Sequence, residues 1–573
     1  MCTIFNRLTD FTEEHNCIPI NQIGFRPKCR TTDHILTLKT IIDKYTNKLP
    51  RKYLFTCFVD FKSAFDTVWR QALFYKLIKC GVGGNFLSLL IDMYNEVSYA
   101  VKTNHGVTEK FTSNVGVKQG CVLSPGMFNI FLHDLPSIFD HTCNPIQLAD
   151  SNLNCLMYAD DLILLSDSHT GLQNGLNKLQ AYCDRWKLTV NLNKTKILIF
   201  NKGGHQIKKY KFYYKGSELE ITNNYCYLGI EFTPSGNFNA AANKLKEKSS
   251  KILFKLRYCL INGDIDVALK LFDSLVLPIA TYGCEVWAPF FTQGLNTNNF
   301  ITKCDNLPIE QIHVKFCRFI LGVHRKSSTA AVKGELGSFP VLMYGLCSSV
   351  KYLANLHNRS PDSVIANCLK ENYALLESND PCWLQHLKRI FETFEMHSYW
   401  NNMGGNNIES CIQILLEKLH CNYEFSWLKY IQGENRVNNK LRTYCKIKTS
   451  FCREEYLNMN IRLDKRKNLT KLRISAHDLK IETGRYTKTD IQNRICLNCN
   501  NHQIEDETHF LLNCSLYHHI RNDLTVKLQN YNYTNLSEDE KLKFLLTGSQ
   551  GDHYVIRQTL SYINAAFDVR KTA

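Results

Sequence analysis

Asp160 and Asp161 are the only adjacent aspartates in the chain, and they stand between two apolar runs, 156–159 and 162–165. Short apolar runs separated by two residues predict a tight β-hairpin. Asp-Asp is a poor turn dipeptide, and two carboxylates at an apolar tip repel one another and resist desolvation. A local rule broken in this way marks a functional site. A divalent cation is the simplest group that would offset the cost, against the alternative of a solvated turn with two surface acids. Upstream, residues 53–60 (YLFTCFVD) form a nearly continuous apolar run ending in an aspartate. That predicts a buried strand with Asp60 at its end. If the two elements are neighbouring strands, Asp60 and Asp160 face one another. Three carboxylates could then hold two divalent cations about 4 Å apart.

The surroundings predict an α+β fold. Residues 20–235 alternate β-rich runs with helical patterns, 236–430 read as helical, and 431–573 begin basic and then carry a Cys/His cluster. Helical spacing covers 64–80, with Gly81 as its C-terminal cap. Ser124 and Pro125 read as N-cap and first residue of another helix. The 573 residues suffice for three or four domains. Lys plus Arg number 69 and Asp plus Glu 53, a net charge of +16 that favours an anionic partner such as nucleic acid. No run has signal-peptide length or membrane-spanning length without charges or proline, so no membrane partner is expected. The 24 scattered cysteines read as reduced, in an intracellular compartment, nuclear and/or cytoplasmic.

Six blocks, in order over about 210 residues, make the pattern specific. NQIGFRP (21–27), FVDFKSAFDTV (58–68), GVKQGCVLSP (116–125), YADD (158–161), NLNKTKILIF (191–200) and YCYLGIEF (225–232) resemble the second fingers block and motifs A to E of reverse transcriptases from LINE-type retrotransposons, which lack long terminal repeats. The resemblance implies a right-hand polymerase with palm, fingers and helical thumb. It implies an RNA-directed DNA polymerase that adds dNTPs to a DNA primer or target on an RNA template. Asp60, Asp160 and Asp161 would hold two Mg²⁺ ions. Phe65 would be the steric gate against a 2′-hydroxyl. Gln119 and Gly120 would line the nucleotide and template pocket, and Lys194 would protonate pyrophosphate. Arg26 would serve nucleotide or template binding from the fingers, and 225–232 would be the primer grip. Asp66 is expected to cap or pair locally. IFNRLTDF is all that resembles the earlier fingers block, and nothing in the chain resembles the family's endonuclease, so an N-terminally truncated reading frame is expected. The alternative is a truncated, catalytically inactive derivative that binds RNA or DNA.

Lys244, Lys248, Lys251 and Lys255 share one helix face, with Leu245, Ile252 and Leu256 on another, directly after motif E. That is where a thumb helix would track phosphates. Residues 436–485 hold 14 Lys/Arg against 5 Asp/Glu, interleaved with Tyr444, Phe451 and Tyr456, and read as a second nucleic-acid surface. Finally Cys496-x2-Cys499-x9-His509-x4-Cys514 offers four ligands for one structural Zn²⁺, with His502, His518 and His519 as nearby alternatives. The spacing differs from the retroviral knuckle but resembles the C-terminal Cys/His segment of the LINE-type enzymes. The expected division is fingers and palm 1–235, thumb and connection 236–345, a basic helical region 346–490, a zinc module 491–525 and a helical tail 526–573.

Overall fold

The computed structural model describes residues 1–572 apart from 48–51, 96, 261–263, 297–298, 403–407, 434–439 and 549–551, and leaves out the side chains of residues 258 and 259. A four-stranded antiparallel sheet positions the site. Its strands are β1 (Leu54–Val59), β2 (Cys155–Tyr158), β3 (Asp161–Ser166) and β4 (Lys196–Phe200), in the order β4–β1–β3–β2. Every residue of β1 is buried. The strand lies inside the sheet with both faces covered, which is why it reads as unbroken apolar sequence rather than as alternation. Phe55, Cys57, Val59, Leu162 and Leu164 pack on one face, against helices His169–Trp186 and Ser124–Phe131. Leu54, Phe58, Ile163, Leu165 and Leu198 pack on the other, in a core that runs on into the C-terminal helices.

Two local expectations need correction. The helix expected over 64–80 begins only at Arg70. Phe65 and Val68 instead give their carbonyls to the motif B loop, with Gly116 N bonding to Val68 O and Val117 N to Phe65 O, both at 2.8 Å. Carbonyls committed to a distant loop do not close helical turns. Gly81 does follow the helix, at φ +90°. Ser124 lies within its helix and is not the cap. Its hydroxyl donates to Lys118 O at 2.5 Å, so it closes the motif B loop.

Beyond the sheet, the hairpin β5 (Tyr225–Tyr227) and β6 (Ile230–Phe232) leads into the helix Asn239–Leu260, which packs on Pro308–Leu321. The helix Val341–His357 runs through the boundary expected at 345/346, and His518–Lys527 through that at 525/526. Among the described residues no single helix is long and apolar enough to cross a membrane. The described cysteines are all free.

The basic segment differs most from expectation. Tyr444, Phe451 and Tyr456 are buried, so none offers a face to a base. Several of its cations are turned inward as well. Arg473 pairs with Glu335 and Glu454, Arg442 with Glu482 and Glu507, and Lys448 with Glu454. Buried charges need such partners, and part of the local excess of charge is neutralised inside the fold. Arg436 lies outside the described residues.

Candidate active site

The pairing of β1 with β3 sets Val59 opposite Leu162. Asp60, one step on, therefore lies beside Asp161, and not beside Asp160 as the sequence suggested. Asp160 sits in the turn itself, since Tyr158 pairs with Asp161 and leaves a two-residue loop. In that loop Ala159 has φ +55°, where glycine is the usual residue. A left-handed alanine costs about 1–2 kcal/mol.

The fingers block holds this turn in place. The buried Gln22 brackets Ala159: its Oε1 accepts from Ala159 N (2.8 Å) and Gly24 N (2.9 Å), and its Nε2 donates to Ala159 O (3.1 Å). Around it, Ile23 N bonds to Met157 O and Met157 N to Asn21 O, so the block runs along the free edge of β2. Gly24 must be glycine, because a Cβ there would fall 2.2 Å from Ala159 N. Sequence reasoning missed Gln22 and Gly24. The signal was the block itself, NQIGFRP.

Asp60 is held from the motif D side. Asn191 Nδ2 donates to its Oδ2 at 2.9 Å, Asn191 N to its main-chain carbonyl at 2.7 Å, and its own N–H donates to Thr195 Oγ1 at 3.2 Å. The Lys194 ammonium, largely exposed, stands 3.9 Å from Oδ1. Asn191 was missed as well. Burial and then repulsion from Asp60 push the Asp160 carboxyl up. Asp161 keeps an open side toward the cleft, yet crowding by the palm raises it to about 6, with Asp160 and Asp60 adding to the shift. Carboxylates that resist ionising together are the donor set a hard divalent cation satisfies.

Phe65 is half-buried, its ring stacked on Phe128 with centroids 4.6 Å apart. Gln119 Nε2 donates to Asp66 Oδ1 at 2.7 Å, which gives Asp66 the local pairing expected of it, though in a turn and not on a helix. Gly120 has φ +79° with no atom within 4 Å of a built Cβ, so the loop opens onto free space. Arg26 is committed internally. It makes a bidentate pair with Glu13 at 2.6 and 2.8 Å and donates to Pro19 O and Gln22 O, which ties the first helix to the fingers block and leaves little to reach a nucleotide. Lys244, Lys248, Lys251 and Lys255 are all exposed on Asn239–Leu260, while Leu245 is buried and Ile252 and Leu256 half-buried.

At the C-terminal end, the ligand atoms of Cys496, Cys499, His509 and Cys514 all lie within 4.8 Å of one another. No other set of three or more such residues among those described converges as closely, so the three aspartates stand wider apart. The Cys496–Cys514 sulfurs are 4.0 Å apart, and Cys499 Sγ is 3.4 Å from His509 Nε2. A tetrahedral zinc with bonds near 2.0–2.3 Å has edges of roughly 3.5–3.8 Å. His509 Nδ1 meets Gln503 Oε1 at 2.9 Å, which leaves Nε2 for a metal. Burial favours the neutral Cys499 thiol, but the Asn501 amide and the neighbouring thiols outweigh it and lower its pKa. The cluster takes His509 and not His502, His518 or His519.

Residues 2–232 match the family model described as reverse transcriptase (RNA-dependent DNA polymerase). The chain is 28% identical over 296 residues to the probable RNA-directed DNA polymerase from transposon BS of Drosophila melanogaster, covering 50% of this chain and 32% of that protein. It is 26% identical over 294 residues to the RNA-directed DNA polymerase from mobile element jockey of Drosophila funebris, covering 50% and 31%. The matched stretch thus spans about a third of each relative. Among solved structures, apo telomerase from Candida tropicalis covers 64% of this chain and 60% of its own at 15% identity, with a TM-score of 0.31, too low to define a common overall fold.

Proposed function

Since residues 2–232 match the reverse transcriptase family model and the chain is similar to RNA-directed DNA polymerases of Drosophila mobile elements, we propose that this chain is a reverse transcriptase of the kind carried by retrotransposons without long terminal repeats and copies an RNA template into DNA by extending a primer with dNTPs. The observation that carries the reading is the register that brings Asp60 beside Asp161, with Asp160 in the strained turn between β2 and β3. Two Mg²⁺ ions held by these carboxylates would activate the primer 3′-hydroxyl and neutralise the departing pyrophosphate. Asn191 keeps Asp60 aimed, and Gln22 keeps Asp160 in place. Lys194, exposed and next to Asp60, is suited to giving a proton to the leaving group. Phe65, backed by Phe128, is a rigid floor for the sugar. Gln119 and Gly120 border the open space for the templating pair. The exposed lysines of Asn239–Leu260 suit the phosphates of the template–primer duplex. The four-residue Cys/His cluster suits one structural Zn²⁺. The intact carboxylates and their two clamps favour this reading over an inactive binding derivative.

The test is incorporation of labelled dTTP on poly(rA) primed with oligo(dT) in Mg²⁺. Synthesis by the wild-type chain, lost in Asp160→Ala and Asp161→Ala that still bind template–primer, is the expected result. Equal synthesis in either variant would overturn the assignment.

A further inference from the structure

Tyr282 belongs to LFDSLVLPIATYGCEVW, a stretch whose sequence suggests only helical scaffold. It lies between helices Leu277–Ala280 and Cys284–Trp287, and its side chain reaches back to the turn of hairpin β5–β6. The hydroxyl is 3.0 Å from Leu228 O and 3.0 Å from Thr31 Oγ1. A phenol has one proton, so it donates to the carbonyl and accepts from Thr31. Its ring covers Gly229, where a Cβ would meet Tyr282 Cε1 at 2.8 Å. Leu228 and Gly229 both have positive φ, +44° and +84°. A leucine holds that conformation only when its surroundings impose it. Trp287 Nε1 donates to Tyr282 O at 2.9 Å and fixes the tyrosine's own backbone.

The other end of the hairpin is fastened to β1. Tyr225 stacks on Phe58, two residues before Asp60, with centroids 4.3 Å apart. The hairpin is therefore pinned at its base by Tyr225 and at its tip by Tyr282, which stays 36% exposed.

We infer that Tyr282 is a positioning residue: through the Leu228–Gly229 turn it sets the height of hairpin 225–232 above Asp60 and Asp161, and with it the position of the primer 3′ end. The inference rests on the polymerase reading. It goes beyond that reading in giving a residue outside the matched domain control over primer alignment.

The experiment compares Tyr282→Phe, Thr31→Val and the double variant with wild type on poly(rA)/oligo(dT). Thr31→Val should slow extension at saturating dTTP by about three- to tenfold, the worth of one neutral hydrogen bond, and Tyr282→Phe, which loses two, by about ten- to a hundredfold. The double variant should be no slower than Tyr282→Phe, because the bond that Thr31→Val removes is already gone in it. The KM for dTTP, the Kd for template–primer and the melting temperature should stay at wild-type values. A 2-aminopurine at the primer 3′ terminus, paired with U in an RNA template, should report a changed environment in Tyr282→Phe at equal Kd. Wild-type extension by Tyr282→Phe, or a loss that follows Kd or melting temperature, would overturn the inference while leaving the polymerase reading intact. Absence of synthesis in the wild type would sink that reading; a 2-aminopurine change at equal Kd would still support the role of Tyr282, and an unchanged signal would overturn it.

Discussion

Gln22→Leu is the sharpest perturbation of the Ala159–Asp160 turn that touches no carboxylate. Leucine keeps the approximate size of the side chain but loses all three hydrogen bonds around Ala159, at 2.8, 2.9 and 3.1 Å. At about 1 kcal/mol net for each neutral bond, the turn loses about 3 kcal/mol. Nothing then offsets the left-handed strain at Ala159. An energy change of about 3 kcal/mol is about a hundredfold in the balance between the held turn and relaxed alternatives. We expect primer extension at saturating dTTP to fall by about ten- to a hundredfold, since misplacing a reacting group by about 1 Å can cost that much. Hydrogen exchange at the Ala159 amide should accelerate, while the melting temperature of so large a chain changes little. Gly24→Ala should act in the same direction and more strongly, because its Cβ meets main chain, which cannot rotate away. Gln22→Leu with normal synthesis and a protected Ala159 amide would refute the clamp.

Other perturbations test other parts. Phe65→Val, which removes the ring stacked on Phe128, should raise ribonucleotide incorporation by about tenfold or more, read from CTP against dCTP competition on an RNA template; unchanged discrimination would remove Phe65 from the gate role. Purified chain should carry one zinc, and chelation should expose the amides of residues 495–517 to exchange while extension on a simple template persists; a protein without bound zinc, with those amides protected, would contradict the site. Lys333 is fully buried between Asp305 (2.7 Å) and Glu310 (2.5 Å), so Lys333→Met should cost about 3–5 kcal/mol at neutral pH. Burial works to raise Glu310, but Lys333 and then His313 outweigh it and hold it at about 2, against an ordinary 4.5. A depressed carboxyl contributes stability that is whole above about pH 4.5 and lost as pH falls through about 2. The difference in melting temperature between wild type and Lys333→Met should therefore shrink toward pH 3, and a constant difference would refute the pairing.

The three aspartates were legible because desolvating adjacent carboxylates is costly enough to show as a broken pattern, and because the blocks around them follow a known order. Their relative placement was not. Which aspartate faces Asp60 depends on the Val59–Leu162 register, set by strands about a hundred residues apart. Gln22 and Asn191 escaped notice for a related reason: each works on a group, the Ala159 main chain or the Asp60 carboxylate, that only the folded sheet brings near. The basic stretch misled in the opposite direction. Its aromatics and cations match a nucleic-acid surface by composition, but the partners Glu335 and Glu507 sit outside it, and those partners draw the segment into the core.

The helix Thr31–Asn47 shows why the polymerase blocks do not delimit a folding unit. Its sequence is of near-neutral hydropathy, with Asp33, His34, Lys39 and Asp43 among its apolar residues, the pattern of a surface helix. In the fold nearly every side chain is buried. Ile35, Leu38, Ile41 and Ile42 join the same core as Phe58, Leu198 and the C-terminal helices. Its polar residues are met from helices far along the chain: Tyr352 donates to Asp33 at 2.8 Å, Arg359 lies 3.2 Å from the same carboxylate, Asn372 donates to Thr40 at 2.7 Å, and Lys44 pairs with Glu371 at 2.7 Å. His34 turns the other way, to Asn21 O and Met157 O beside the catalytic hairpin. A fragment ending at residue 235 would keep the His34 contacts but lose Tyr352 and Arg359 from Asp33, Asn372 from Thr40 and Glu371 from Lys44, leaving them only Arg30 N, Leu36 O and Gln147 O, and would open one face of the core to water. Each bond lost costs about 0.5–1.5 kcal/mol, and about 1.5–3 kcal/mol where a charge is involved, and such a domain is expected to be stable by only about 5–15 kcal/mol. The fragment should therefore be digested by protease at concentrations the full chain resists, and Asp33→Asn in the full chain should move protection in the same direction. Equal resistance of the fragment would show that the palm carries its own core, and that the contacts from residues 352–372 add nothing to it.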